Sequence, residues 1–382
     1  MRYFSRSSVI LTGAVCLFLS ASIAFAQESE PREEFSKAEV IAIMSEETND
    51  DFGMKQTVQH LRLKILSGPE AGKEIPAENG IVNNRADMRL DVGRVIVLSK
   101  TFSADGSELY LIKESYRLPA LIWLTLAFVG VTILLGRKTG LTSIVGLAAS
   151  ILILVLYILP RIVAGDDPLL TCLIGAAAIA CSSLYLAHGF NKRSSVALLS
   201  TVVTLVIAVL VSILYVYAAA LFGLGSEEAV FLQTGPLQSV DLRGLLLGGM
   251  IIGCLGVLDD ITTAQCAAVD EISKANPSLS IHDLRKAGFS VGREHIASLI
   301  NTLALAYAGA SLPLLLLFKT QATYPLWVTL NGEFLAEEIV RTLVGSMTLV
   351  VAVPVATYFA SQMLRAKPGS RPVKSTAMGH HH

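Results

Sequence analysis

The sequence predicts a polytopic α-helical membrane protein with seven transmembrane helices, preceded by a small exported all-β domain. Three observations carry that expectation. Of 382 residues, 53% are hydrophobic and only 16% charged, with a mean hydropathy of +0.59, which leaves too few polar side chains to cover a water-facing surface. Apolar runs of membrane length recur from Leu118 onward. Residues 27–117 instead carry short alternating runs between turn residues. A net charge of −1 supplies no field for a polyanion, so nucleic acid is not expected as a partner.

Residues 1–26 read as a signal peptide. Arg2 and Arg6 precede the apolar run 9–25, and Ala24-Phe25-Ala26 provides small residues for cleavage after Ala26. An uncleaved anchor would keep its basic end inside and export residues 27–117 all the same. Cys16 lacks the neighbours of a lipoprotein signal. In 27–117, acidic residues outnumber basic ones 17 to 12, and the runs "KAEVIAI", "VQHLRLKIL", "GRVIVLS" and "ELYLIKESY" alternate between Gly-Pro, Asn-Gly, Asn-Asn and Asp-Gly turns. This pattern predicts about five strands, forming a small barrel or sandwich whose nearest general model is an OB-type barrel.

The transmembrane domain, 118–365, holds apolar runs at 119–136, 141–159, 168–188, 196–222, 242–268, 295–318 and 336–364. With an exported start, the segments placed inside carry 12 Lys and Arg, and the opposite loops carry Arg161, Arg243, Lys319 and Arg341. The positive-inside rule therefore agrees with an N-terminus outside and a C-terminus inside. Trp123, Tyr324 and Trp327 fall near the outer interface. Small residues in the third span ("GAAAIACSS") and Gly244, Gly248, Gly249, Gly253 and Gly256 in the fifth predict close helix packing. Cys172, Cys181, Cys254 and Cys266 lie in apolar runs with no metal spacing and read as buried thiols. Asp166-Asp167-Pro168 predicts a helix start, and Glu337, Glu338 and Arg341 a solvated first turn with Glu337 paired to Arg341. Pro313 and Pro354 predict kinks. Residues 366–382 form a cytoplasmic tail and a tag remnant, Met378-Gly379-His380-His381-His382.

Two polar motifs interrupt the apolar runs. Asp259 and Asp260 lie well inside the fifth span, where each costs about 2.5 to 3.5 kcal/mol against lipid, so the pair costs about 5 to 7. Thr262, Thr263, Gln265 and Glu271 extend that polar character. The sixth span opens with "GREHIASLINTLALAY", in which Glu294, Ser298 and Asn301 share one stripe and His295, Ser298 and Thr302 the next. Asn301 and Asp259 each lie about 10 Å from the inner end of their helix, so the two polar faces are expected to meet. Between them, Ser280 and Asp283 predict a capping box, and Gly288 the end of a short helix in the 270–294 loop.

The stretches "GGMIIGCLGVLDDITTAQCAAVDEI" and "VGREHIASLINTLALAYAGASLPLLLLF" resemble the signature region of the YibE/F-like family of bacterial multispan membrane proteins. The resemblance covers about 119–365. It implies a location in the bacterial plasma membrane and a shared motif at Asp259, Asp260, Gln265, Glu271, Arg293, His295 and Asn301. It implies no activity.

The leading functional expectation is a permease or ion-coupled transporter. Asp259 and Asp260 would bind a cation or proton, Thr263, Gln265 and Asn301 would supply neutral oxygens, and His295 would tune or relay protons. Glu271, Arg293, Glu294, Ser298 and Thr302 would support them. The expected partners are the bilayer, a small solute or ion, and a protein at the exported domain or the 270–294 loop. A bound cation is the one cofactor considered, and no metal or catalytic residue is assigned. A structural alternative pairs the aspartates with Arg293 or with Asn and Thr donors as interhelical glue. A second class is a receptor or scaffold that senses a ligand through the β domain. The third is an intramembrane metal-dependent hydrolase using His295, which lacks a paired-His spacing. An aspartyl protease is disfavoured because adjacent aspartates on a helix diverge.

Overall fold

The computed structural model describes residues 33–51, 54–80, 89–103, 107–235, 237–320 and 325–366. The expected signal peptide at 1–26, Tyr324 and nearly all of the tail fall outside them. The described residues form two compact units, one up to Val131 and one from Thr132 onward.

The first unit is a five-stranded antiparallel half-barrel, built from β1 (Glu34–Asp51), β2 (Met54–Ile65), β3 (Glu74–Asn79), β4 (Val95–Phe102) and β5 (Glu108–Ser115) in the order β3-β2-β1-β4-β5. Alternation aims Ala38, Val40, Leu61, Leu63, Ile65, Ile75, Ile96, Leu98 and Ile112 into one core. Register shifts between Val40 and Ala42, and between Ile43 and Ser45, bend the 18-residue β1 so that the sheet curls. Buried Gln59 clasps the incoming 89–90 segment: its Oε1 accepts from the Leu90 amide at 2.7 Å, and its Nε2 donates to the Leu90 carbonyl at 3.2 Å. The fifth strand, β3, belongs to none of the four alternating runs. It is short, and Pro76 sits on its outward face.

Curling brings β3 and β5 near one another, and charge closes the gap. Glu70, before β3, pairs with Lys73 and Lys100, both at 3.1 Å, and accepts from the Tyr110 hydroxyl at 2.8 Å. Lys100 also meets Glu108 at 2.6 Å. These donors, the Tyr110 hydroxyl foremost, hold the Glu70 carboxyl down to about 2.

The second unit is helical. It comprises α1 (Leu118–Ile153, its start shared with the first unit), a π turn (Leu154–Ile158), α2 (Leu159–Val163), α3 (Pro168–His188), α4 (Lys192–Ala218) and α5 (Glu227–Thr234). The remaining helices are α6 (Leu242–Ala275), α7 (Ile281–Ala310), α8 (Leu312–Thr320), α9 (Leu326–Leu330) and α10 (Glu333–Met363). Five stretches are long and apolar enough to cross a membrane: Leu118–Val163, Pro168–His188, Lys192–Ala218, Leu242–Ala275 and Glu333–Met363.

Two of the seven expected spans do not appear as separate long apolar helices. The runs 119–136 and 141–159 fall in one helical stretch, which turns at Arg137 (φ 50°, ψ −127°). Beyond that turn Gly140 lies against the carbonyl of Thr132, eight residues back, where a side chain would collide with it. The run 295–318 is divided between α7 and α8 at Ser311, just before Pro313, whose ring cannot continue a helical hydrogen-bond ladder.

The 270–294 loop is also corrected: α6 runs to Ala275 and α7 starts at Ile281, leaving a connection of a few residues. Ser280 does cap α7, accepting from the Asp283 amide at 3.1 Å. Gly288 does not end that helix. It sits mid-helix against Val269 and Thr357, where any side chain would overlap the Val269 methyl.

Helices α6 and α10 pack on each other and on α4 and α7, and α3 packs on α6. Small residues set the distances, as predicted for the third and fifth spans: Gly248 backs onto Cys172, and Gly175 onto Ile158. Asp167 caps α3 by accepting from the Leu170 amide at 2.7 Å. Cys172, Cys254 and Cys266 are buried free thiols, with Cys181 half-buried. Glu337 departs from its expected solvated position. It is only 4% exposed and accepts from the Gly225 amide at 2.9 Å, while Arg341 pairs more closely with Glu338.

The half-barrel closure is pH-dependent, with a sign fixed by the lowered Glu70 carboxyl. Its stabilisation is fully present above the usual 4.5 and is lost as pH falls towards about 2. Amide exchange in β3 and β5 of the whole protein should therefore accelerate across that window. Glu70→Gln should weaken the acid dependence, leaving the part carried by Glu108, and raise exchange at neutral pH.

Candidate functional site

Helix α6 presents different chemistry on its different faces. Thr262 faces α4, where its hydroxyl lies 2.7 Å from that of Thr201 and also donates to the Leu258 carbonyl at 2.9 Å. Gln265 faces α7 and α10. Its amide nitrogen donates to the Gly288 carbonyl at 2.8 Å and to the Thr357 hydroxyl at 2.7 Å, and Gly292 leaves room for it. Both residues are completely buried, so these bonds form where water cannot substitute for them.

Asp259, Asp260 and Thr263 face a third direction. They border a cavity of about 410 Å³, completed by Ser183 and His188 of α3 and by Ser143 and Ser150 of α1. Apolar walls, among them Leu147, Ile179 and Leu255, make the carboxylates the dominant charge there. Asp259 is half-buried with the hydroxyls of Ser183 and Thr201 beside it, yet its Oδ1 is shielded from water and has no hydrogen-bond partner. Thr263 Oγ1, one turn along the helix, is likewise buried and unpartnered. Asp260 is exposed at the cavity edge, within electrostatic range of His188.

The arrangement thus differs from the expected meeting of the fifth and sixth spans. Asp259, Asp260 and Thr263 come together with α3 and α1. Asn301, His295, Glu294, Ser298 and Thr302 lie exposed on α7, as do Arg293 on α7 and Glu271 on α6. Gln265 sits between these regions as a structural bridge. Geometry explains the outcome, since α7 turns Ile296 and Leu303 towards α6 and its polar stripe away. Among the described residues, no group of three or more His, Cys, Asp or Glu side chains is placed to hold a metal ion.

Sequence reasoning missed Ser143, Ser150 and Ser183. The signal was present: Ser143 and Ser150 are two helical turns apart, and Ser183 precedes His188 in "SSLYLAH". Serines in apolar runs read as packing residues until a carboxylate is known to face them.

The deciding comparison is with protein families. A family model described as YibE/F-like protein matches residues 124–366. The chain belongs to the YibE/F-like family. The match includes α3 to α10 and most of α1, and thus the whole cavity lining. Searches of curated proteins and of solved structures returned no match.

The two polar faces of α6 should respond oppositely to mutation. Gln265→Leu removes two buried hydrogen bonds, to the Gly288 carbonyl and the Thr357 hydroxyl, and should lower stability by about 1–3 kcal/mol. Asp259→Asn removes charge from an oxygen that has no donor, and should leave the melting temperature unchanged or raise it. Thermal unfolding in detergent checks both. Equal losses would make Asp259 a packing group.

Proposed function

We propose that this YibE/F-like membrane protein is a proton- or cation-coupled permease whose coupling site is the cavity around Asp259 and Asp260. The observation that carries the reading is the unpartnered Asp259 Oδ1, shielded from water, with Thr263 Oγ1 beside it in the same state. A carboxylate oxygen shielded from water without a partner of its own is costly, and binding a proton or a hard cation relieves that cost. Hydroxyls of Ser143, Ser150 and Ser183 add neutral oxygens, and His188 stands across from Asp260 as a proton carrier at the mouth. Within this reading Gln265 fixes the helices. His295 and Asn301 serve a different surface.

The proposed membrane topology has seven passes in the bacterial plasma membrane, with the β domain exported and the C-terminus inside. The chain reversal at Arg137 supports counting two passes in Leu118–Val163, of about 28 Å and 39 Å at 1.5 Å per residue. The apolar end of α7 with α8 supplies the sixth. This topology puts Ser143, His188 and Asp260 at one depth near the inner surface, in keeping with the Thr142 hydroxyl, which lies 3.4 Å from the Ala187 carbonyl.

Reconstituted proteoliposomes test the proposal with a panel of protons and mono- and divalent cations. Wild type should carry flux, and the folded Asp259→Asn/Asp260→Asn double variant should lose at least about tenfold, equivalent to about 1.4 kcal/mol. Equal flux in both would remove the aspartates from the transport path.

A further inference from the structure

The cavity beside Asp259 is graded in polarity from one end to the other. Contacts between its helices set the levels. Helices α1 and α3 run antiparallel, with Thr142 beside Ala187, Gly146 against Ser183 and Ile158 of the π turn against Gly175. Helices α3 and α6 run parallel, with Gly248 against Cys172 and Asp259 beside Ser183. Ser143, His188, Asp260 and Thr263 therefore share one end, and Ser183 and Asp259 follow one turn further in. The far end is aliphatic, formed by Ile151, Leu154, Ile179 and Leu255. From Ser143 to Leu154 the lining extends about 16 Å at 1.5 Å per residue.

Size and chemistry together narrow what fits. A volume of about 410 Å³ is that of a small-molecule site, typically about 300–1,000 Å³, and is more than one dehydrated inorganic ion fills. Among the described residues the lining holds no Lys or Arg to offset the two carboxylates, so an anionic solute is repelled. It also holds no Phe, Tyr or Trp, the faces that bind quaternary ammonium groups. A primary ammonium carries three donors and no acceptor. Asp259 Oδ1 and Thr263 Oγ1 are buried without a partner one turn apart on α6, and the Ser183 hydroxyl lies beside Asp259. An aliphatic chain on such a nitrogen runs away from the carboxylates along the apolar walls, where its burial is favourable. Gly256 keeps the α6 side of that passage open, since a side chain begun there meets no atom within 4 Å.

We infer that the cavity binds a primary alkylammonium, its head on Asp259 Oδ1 and Thr263 Oγ1 next to Asp260 and its chain along Leu147, Ile179 and Leu255. The inference names a substrate class for the site already proposed, and it rests on the reading of Asp259 and Asp260 as a cation site. In the proposed topology the head lies towards the inner surface and the chain towards the middle of the membrane.

Thermal unfolding of the full chain in detergent tests it, with methyl-, butyl- and hexylammonium as probes and 1-hexanol and hexanoate as head-group controls. Affinity should rise about three- to fourfold for each added methylene. The Asp259→Asn/Asp260→Asn double variant should bind hexylammonium at least about tenfold more weakly, and Gly256→Leu should weaken hexylammonium more than methylammonium. Equal stabilisation by 1-hexanol and hexylammonium would show a merely apolar cavity and overturn the inference. Sodium, potassium or calcium ions that stabilise the wild type through the aspartates, where hexylammonium does not, would overturn the alkylammonium and leave the cation site intact. No aspartate-dependent response to any of these probes or to pH would overturn both.

Discussion

The Gln265 side chain holds the helical unit together. Its amide reaches the Gly288 carbonyl at 2.8 Å and the Thr357 hydroxyl at 2.7 Å, joining α6, α7 and α10 at one buried point. Association of helices in lipid gains little from hydrophobicity, because the alternative surroundings are equally apolar. Shape and buried polar bonds must do that work. Gly288 and Gly292 bring the α7 backbone close enough for the amide to span the gap, so the polar bond and the steric fit depend on one another. With that face of α6 occupied, the carboxylates of Asp259 and Asp260 turn to α3 and α1, where the packing is looser and a cavity forms.

The half-barrel solves a different problem with different means. Water screens its surface charges and competes for its hydrogen bonds, so its core is secured by alternating Val, Ile and Leu side chains. Charged groups there close an edge. The cluster of Glu70, Lys73, Lys100, Glu108 and Tyr110 stands where β3 and β5 approach without a ladder between them. A polar closure limits the exposed edge strands as sites for unwanted pairing.

Much of the architecture was legible in the residues. Composition separated a β unit from an apolar helical one, and the caps at Asp167 and Ser280 fell where side-chain chemistry required. Legibility failed where one residue serves two purposes. Gly288 resembles a helix terminator and is a packing contact, because a glycine at a close approach and a glycine at a C-cap have the same sequence appearance. Glu337 resembles a solvated first-turn acid, and only a backbone amide more than a hundred residues away buries it. The aspartates were identified from their cost alone, but periodicity relates residues within one helix and says nothing of which neighbour a face meets. The α7 stripe was therefore paired with the wrong surface, although its internal alignment of Glu294, Ser298 and Asn301 was correct.

Glu333 and Glu337 grip the segment just after α4. Glu333 accepts from the amides of Phe222 and Leu224 at 2.6 and 3.2 Å, and Glu337 from that of Gly225. Arg243, at the start of α6, holds the same segment from the other side by donating to the Leu221 carbonyl at 2.8 Å. The 221–225 segment is thus a tether between the first turns of α6 and α10. Any rocking of one of these helices relative to the other must either stretch this short strap or pivot about it. The two helices are therefore tied near both ends, by this strap at one and by the Gln265 and Thr357 side chains at the other.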